Sequence, residues 1–130
     1  MTTFDHIKVT GKKDTRSGFG DGILEAAREN PNVIALTADL AGSLKLDALI
    51  KELPNQFVQV GIAEANMIGV AAGLATAGKI PFTTTFANFS TSRVYDQIRQ
   101  SVGQGSSTPL RIKKAHPRNQ MSFKYVEVFY

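Results

Sequence analysis

Side chains able to do chemistry follow each of three predicted strands. Asp39 comes after the first strand, Glu64 after the second, and Phe86 and Phe89 at the end of the third. Ligands of open parallel sheets bind beyond the carboxyl ends of the strands. We therefore expect two carboxylates and an aromatic pair to converge on one edge, where they could exchange protons and stack on a flat ring.

Glu64 precedes a predicted helix, Ala65–Ala77, that is apolar nearly all round. Such a helix should be buried on every side, so the carboxylate at its start should be partly desolvated. Burial disfavours the charged form of Glu64, while the positive end of the helix favours it. Two interpretations stay open: a functional acid or base, or a helix-start residue stabilised by the dipole.

The same predicted helix carries a small side chain at every fourth position, namely at Ala65, Gly69, Gly73 and Ala77. Small residues let a second helix approach closely. The contact could lie within the domain, but an apolar helix in so short a chain favours packing against a second chain.

Each of the other candidate residues could have a purely structural role instead of a functional one. Phe86 and Phe89 could stack on a heteroaromatic ring or fill the core, and Asp39 could contact a ligand or shape a turn. Arg16 and Ser43 could bind a phosphate, although Arg16 alone could equally be a solvated helix charge.

Composition excludes several classes of site. The 130 residues contain no cysteine and two histidines, which rules out thiolate chemistry and argues against a multi-histidine metal centre. We find no phosphate-binding glycine loop of the P-loop or dinucleotide type and no serine–histidine pair typical of a triad. We expect no metal ligands in this chain.

The net charge of +4 is unevenly distributed. Residues 1–102 contain 10 basic and 10 acidic residues, whereas residues 103–130 contain 5 basic residues and one acidic residue. So small a basic tail makes nucleic-acid binding an unlikely main function. No apolar run reaches the ~20 residues of a membrane span, and the first 14 residues resemble no signal peptide. Together with the lack of cysteine, this favours the cytoplasm.

Periodicity and chain breakers predict alternating helices and strands. The order predicts an α/β fold, a parallel sheet with helices on both faces. The predicted helices are Thr15–Glu29, Ser43–Leu53, Ala65–Ala77 and Asn88–Val102, and the predicted strands are Val33–Thr37, Phe57–Val60 and Ile80–Phe86. Lys124–Tyr130 alternates enough to form a further strand.

Several blocks in order resemble the pyrimidine-binding domain of transketolase, a thiamine diphosphate enzyme. The chain is most similar to the C-terminal subunit of the split transketolases of bacteria. The block at residues 61–67 is specific to thiamine diphosphate enzymes of this group. The matching blocks are Asp14–Gly20, Val33–Leu40, Val60–Ala75, Phe82–Phe89 and Tyr95–Arg99.

The resemblance implies a role for each candidate. Glu64 matches the glutamate that hydrogen-bonds the N1′ atom of the cofactor's aminopyrimidine and is the expected catalytic residue. Phe86 and Phe89 match the aromatic pocket around that ring. Ile62 and Asp39 match further cofactor contacts.

The resemblance also implies partners. Arg16 and Ser43 match contacts to the phosphate of a sugar phosphate substrate. In this family a different domain holds the diphosphate and its Mg²⁺ or Ca²⁺. The chain should therefore need a diphosphate-binding subunit, in a homo- or hetero-oligomer, to transfer a two-carbon ketol unit in the pentose phosphate pathway.

Departures from the family pattern divide the chain. Some members have tyrosine where this chain has Ser92, and the family's histidine-containing segments do not follow Val102. We therefore expect an N-terminal arm at 1–13, a partial domain at 14–102, and a basic tail at 103–130 unrelated to the family pattern. An abrupt change of charge at 103 suggests a truncation with a frameshifted or foreign tail. An incomplete sheet would have an open edge and marginal stability.

Three alternative functions remain. One is a catalytically inactive fragment that only associates with a partner. The others are enzymes sharing the same glutamate: 1-deoxyxylulose-5-phosphate synthase and the beta subunit of a 2-oxo-acid dehydrogenase.

Overall fold

The computed structural model describes residues 14–103 and the backbone of two strands, at 110–113 and 126–129. The predicted N-terminal arm lies outside the described residues, as does most of the predicted tail.

Helix α1 spans Thr15–Glu29, as predicted. It begins there because the Asp14 carboxylate accepts a hydrogen bond from the backbone N–H of Ser17 at 2.9 Å, which satisfies one of the four free N–H groups of the first turn. It ends at Asn30, in extended conformation, just before Pro31.

Strand β1, Val33–Thr37, lies in the interior of the sheet and is buried along its whole length. Continuous burial explains its unbroken apolar run, since a strand covered on both faces has no solvent side. The described strands form one sheet in the order β2-β1-β3-β5-β4, and every pairing is parallel. The others are β2 (Phe57–Gln59), β3 (Ile80–Thr84), β4 (Leu110–Lys113) and β5 (Val126–Phe129).

The sheet separates two hydrophobic cores, and the alternation along β1 assigns its side chains to them. Val33 and Ala35 face the layer formed by α1 and α2 (Asp47–Glu52). Ile34 and Leu36 face the layer formed by α3 (Glu64–Thr76) and the segment up to Val102. This confirms the predicted α/β fold with helices on both faces.

The second predicted helix, Ser43–Leu53, is wrong in its first half. Residues 41–45 form turns, and α2 begins only at Asp47. Lys45 has a φ of +58°, which a right-handed helix does not allow. Pro54–Gln56 forms a short 3₁₀ turn that leads into β2.

The fourth predicted helix, Asn88–Val102, is interrupted. It consists of α4 (Ala87–Thr91), α5 (Tyr95–Gln97) and one π-helical turn (Ile98–Val102). The break after α4 and the wider last turn place Val94 and Val102 together in the core beside α3.

Four boundaries shift by one or two residues. Helix α3 starts and ends one residue earlier than predicted, β2 ends at Gln59 and β3 ends at Thr84. Strand β5 pairs with β3 over Phe82–Thr84, so β2 and β4 are the edge strands of the sheet formed by the described residues. Strand β5 lies within the predicted Lys124–Tyr130 strand.

Candidate functional site

The three chemically promising segments lie at one edge of the sheet. Strands β2, β1 and β3 are neighbours and run parallel, so their carboxyl ends lie side by side. Asp39, Glu64 and Phe86 each follow one of these ends, as the sequence predicts.

Gln59, the last residue of β2, links the segments that follow β1 and β2 by hydrogen bonds. Its Oε1 atom accepts a hydrogen bond from the Asp39 N–H at 2.8 Å and from the Gly61 N–H at 3.3 Å. Asp39 has a φ of +60° and Gly61 a φ of +70°, so both segments turn sharply as they leave the sheet. Glycine adopts this conformation readily and aspartate tolerates it, which explains these residue types.

Glu64 is the first residue of α3 and is 4% exposed. The preceding residue, Ala63, gives the helix no side-chain cap. The uncapped N–H groups and the positive end of the helix make this a favourable place for a carboxylate. The predicted burial of Glu64 is therefore confirmed.

Arg93 supplies the hydrogen bond that this buried carboxylate receives within the described residues. Its Nη1 atom donates to Oε2 of Glu64 at 3.3 Å, and the side chain is 52% exposed. Arg93 lies in the turn after α4. A charge from one element thus compensates a carboxylate on another, as a buried ion requires.

An aromatic pair lies beside this ion pair. The rings of Phe86 and Phe89 have centroids 6.2 Å apart at an interplanar angle of 52°, within the favourable range for tilted rings. The guanidinium carbon of Arg93 lies over the Phe89 ring, 4.2 Å from its centroid. Phe86 is 54% exposed, so the core alternative does not hold for that ring.

Buried threonines lie at the carboxyl ends of β1 and β3. The Thr37 hydroxyl donates to the carbonyl oxygen of Thr84 at 3.2 Å, linking the ends of β1 and β3. Thr85, 3% exposed, has a hydroxyl without a hydrogen-bond partner among the residues that the structure describes. Burying such a group unpaired costs stability, so this edge is not optimised for folding alone.

The expectation that α3 is buried on every side is wrong. Met67, Ile68, Ala71, Ala72 and Ala75 face the core, but the small-residue stripe faces outward. Of that stripe, Gly69, Gly73 and Ala77 are exposed and Ala65 is half-buried.

The remaining candidates form no hydrogen bond or ion pair with Glu64 among the described residues. Ile62 is 78% exposed in the segment before α3. Arg16, in the first turn of α1, faces Asp14 with its Nε atom 3.6 Å from the carboxylate, and Ser43 is exposed in the turns before α2. A Cβ at Gly20 would clash with the backbone oxygen of Lys45, so the first half of α1 lies against those turns. Their roles stay predictions.

Residues 14–103 and the two further strands that the structure describes contain neither a membrane-spanning helix nor a cluster of metal ligands. No helix there is long and apolar enough to span a membrane. No cluster of three or more His, Cys, Asp or Glu residues there could hold a metal ion.

The arrangement suits a flat nitrogen heterocycle. A guanidinium, which is planar and carries N–H donors, already bonds to Glu64 and stacks on Phe89. An aminopyrimidine is also planar, and a ring nitrogen that carries a proton, as in its imino tautomer, is an N–H donor like those of the guanidinium, so the residues present fit the pyrimidine of thiamine diphosphate.

Sequence reasoning missed Arg93, Gln59 and Thr85. Arg93 follows Phe89 by four residues, a helical spacing that could have signalled a shared face. Nothing in the sequence around Gln59 or Thr85 indicates their contacts, which depend on neighbouring strands.

Comparison with known proteins identifies the family of this chain. The family profile "Transketolase, pyrimidine binding domain" matches residues 11–115. A "Putative transketolase C-terminal section" of Methanocaldococcus jannaschii is 42% identical over 97 residues, covering 74% of this chain and 31% of the relative. A 6-deoxy-6-sulfo-D-fructose transketolase subunit of a Clostridium species is 46% identical over 87 residues, covering 67% of this chain and 27% of the relative.

A solved structure shares the fold. It is described as "Split gene transketolase, inactive beta4 tetramer" and aligns with a TM-score of 0.63 and 46% identity, over 70% of this chain and 30% of that one. The chain thus spans about a third or less of the length of these relatives. Where the family pattern stops within 103–130 stays a prediction. Since the profile covers most of the chain, the chain belongs to the family of transketolase pyrimidine-binding domains.

Proposed function

We propose that this chain forms the pyrimidine-binding half of a thiamine diphosphate-dependent transketolase. The complete site would transfer a two-carbon ketol unit from a ketose phosphate to an aldose phosphate. The observation that carries the proposal is the buried Glu64 carboxylate at a helix start, which Arg93 links to the Phe89 ring and its exposed neighbour Phe86.

In this proposal Glu64 binds and orients the aminopyrimidine through a hydrogen bond to a ring nitrogen. Its burial keeps water away from that hydrogen bond, which strengthens the interaction. Phe86 and Phe89 stack against the ring. When bound, thiamine diphosphate supplies the carbanion chemistry of the reaction.

The other candidates keep their proposed places around the cofactor and the substrate. Asp39 and Ile62 contact the cofactor near the edge. Arg16 and Ser43 contact the substrate phosphate, which Arg16 suits because its guanidinium can bind two phosphate oxygens at once. The proposal includes action in the pentose phosphate pathway and a cytoplasmic location.

A partner subunit would complete the site. We propose that it holds the diphosphate through Mg²⁺ or Ca²⁺, because the described part of this chain offers no cluster of metal ligands. The outward face of α3 is the proposed contact surface, since Gly69 and Gly73 leave open space in which another backbone can approach.

The second candidate function is association without catalysis. It is favoured by the same exposed face of α3, together with the exposed side chains of Ile62 and Tyr95. Such a chain would bind the partner subunit but complete no reaction.

The test is a ketol-transfer assay of this chain mixed with a diphosphate-binding transketolase subunit, thiamine diphosphate and Mg²⁺. Glu64→Ala should lower the rate at least about 100-fold, the usual contribution of a positioned proton-transfer group. The matched control is Glu52→Ala, which removes another arginine-paired glutamate, at the end of α2.

The outcomes separate the two candidates. Wild-type activity that depends on Glu64 but not on Glu52 supports the enzyme. Equal activity in the Glu64→Ala chain contradicts the role of this carboxylate. Measurable binding between the subunits with no activity in any variant supports association alone.

A further inference from the structure

Arg93 makes both contacts that the proposed function gives to the aminopyrimidine. Its guanidinium donates to Glu64 Oε2 at 3.3 Å and lies 4.2 Å from the centroid of Phe89. A planar cation with N–H donors therefore already bonds to the carboxylate and covers one face of the aromatic ring.

Access to Glu64 requires a neighbour to move. The Glu64 side chain is 5% exposed, so a ligand cannot hydrogen-bond to it without displacing atoms that now cover it. The covering group that bonds to it is Arg93, whose own side chain is 52% exposed and faces open solvent on its other side.

Arg93 is held weakly enough to be displaced. Its ion pair is 3.3 Å long, whereas the two hydrogen bonds from Arg28 to Glu52 are each 2.6 Å. Arg93 also lies in the turn between α4 and α5, where the side chain can swing outward without breaking a helix.

We propose that Arg93 occupies the pyrimidine site of the unliganded chain and is expelled when the cofactor's pyrimidine binds. The inference rests on the proposed function, because it concerns the same site. The exchange leaves the buried carboxylate with an N–H donor in both states, first from Arg93 and then from the protonated ring nitrogen of the pyrimidine. It thereby avoids the cost of an unpaired buried charge, and it lowers the affinity for the pyrimidine by competition.

The experiment measures the dissociation constant of the free aminopyrimidine half of thiamine for the full chain, by calorimetric titration at fixed ionic strength. The variants are Arg93→Ala, Arg93→Lys, Glu64→Ala and Arg99→Ala. Arg99 is the matched control because it also forms a 3.3 Å ion pair, with Asp96, and is 56% exposed.

Arg93→Ala should bind the pyrimidine about three- to tenfold more tightly than the wild-type chain, the range expected from removing a half-exposed ion pair and a cation–π contact. Arg93→Lys should fall between the two, because lysine keeps the charge for Glu64 but lacks the planar group that stacks on Phe89. Arg99→Ala should bind like the wild-type chain.

A second readout follows the arginine itself. Ring current from Phe89 should shift the Arg93 side-chain proton resonances upfield in the free chain. These resonances should move toward solvent-exposed values when the pyrimidine saturates the site, while those of Arg99 stay unchanged.

Each outcome decides one claim. Glu64-dependent binding that is equal or weaker in Arg93→Ala, or Arg93 resonances that stay shifted at saturation, overturns the displacement while the proposed function stands. Binding that ignores Glu64, or no binding in any variant, overturns the proposed function and the displacement with it.

Discussion

The first helical layer (α1 and α2) and the second (α3 and the segment up to Val102) lie on opposite faces of the sheet. They differ in how completely their polar groups are paired and their apolar side chains covered. In the first layer, α1 is capped by Asp14, and Arg28 joins α1 to α2 through two 2.6 Å hydrogen bonds to Glu52. The buried Gln56 amide nitrogen lies within 3.1 Å of three backbone carbonyl oxygens, those of Ala27, Asn30 and Val33.

The second layer leaves several groups incomplete. The buried Thr85 hydroxyl has no hydrogen-bond partner within the described part of the chain. Ile62, Phe86 and Tyr95 are more than half exposed, and the small-residue face of α3 is uncovered.

The difference teaches which layer serves folding and which serves binding. A chain selected only for stability would pair its buried polar groups and cover its large apolar side chains. The first layer does so. The side of the sheet that carries Glu64 has exposed large apolar side chains and, among the described residues, one unpaired buried hydroxyl. Four predictions test this contrast, in order of decreasing effect on the free energy of unfolding.

Loss of a core ring should be the largest effect. Phe82 is fully buried between β3 and the first layer, so Phe82→Ala should lower the free energy of unfolding by about 3–5 kcal/mol. Phe86→Ala removes the same group from a half-exposed position at the site and should cost less than about 1 kcal/mol. Urea denaturation of both variants measures the contrast, and equal costs would refute it.

Two glycines should respond oppositely to an added methyl group. Gly20→Ala places a Cβ against the Lys45 carbonyl oxygen and should cost about 1–3 kcal/mol. Gly73→Ala meets open space and should stabilise the isolated chain by about 0.5–1 kcal/mol through helix propensity. Thermal unfolding gives both signs.

The Gly73→Ala variant also tests whether α3 contacts a second chain. If α3 contacts a second chain, Gly73→Ala should also weaken binding to the diphosphate-binding subunit in sedimentation experiments. Unchanged association would place the contact elsewhere.

Replacing two glutamines should have different effects, one on stability and the other on ligand binding. Gln56→Ala leaves three carbonyl groups without their shared donor and should cost about 1–3 kcal/mol. Gln59→Ala removes an exposed acceptor from the Asp39 and Gly61 turns and should mainly weaken pyrimidine binding. The pair is compared by denaturation and by ligand titration. A larger loss of stability in Gln59→Ala would contradict the division.

Acid should destabilise the chain slightly. The Ser17 backbone N–H lowers the pKa of Asp14, the Arg28 side chain lowers the pKa of Glu52, and the Gln100 amide lowers the pKa of Asp96. A depressed folded-state pKa stabilises the chain above the ordinary carboxyl pKa of about 4. That stability is lost as the pH falls through the folded-state pKa values.

The melting temperature should therefore decrease by a few degrees as the pH falls from 5 to about 3. The decrease should be smaller in Asp14→Asn, since asparagine caps α1 without titrating. A melting temperature that rises on acidification would contradict this sign.

Much of the fold follows from local sequence. The apolar run at Val33–Thr37 suits a strand covered on both faces, and Pro31 ends α1 by steric exclusion. The family blocks add the expected role of Glu64, which the sequence alone leaves open between a catalytic group and a helix-start residue. The half-helix at 43–46 was mispredicted because its leucines suit a turn packed on α1 as well as a helix.

The order of helices and strands, the burial of β1, and the placement of Asp39, Glu64 and Phe86 after strand ends all follow from the sequence alone. These features depend on periodicity, chain breakers and the parallel sheet that they specify. Only the tertiary structure decided that Arg93 bonds to Glu64 across 29 residues, that Gln59 ties two turns, and that one face of α3 stays uncovered. Such contacts join residues distant in the chain, and which of them form depends on how the layers pack on the sheet.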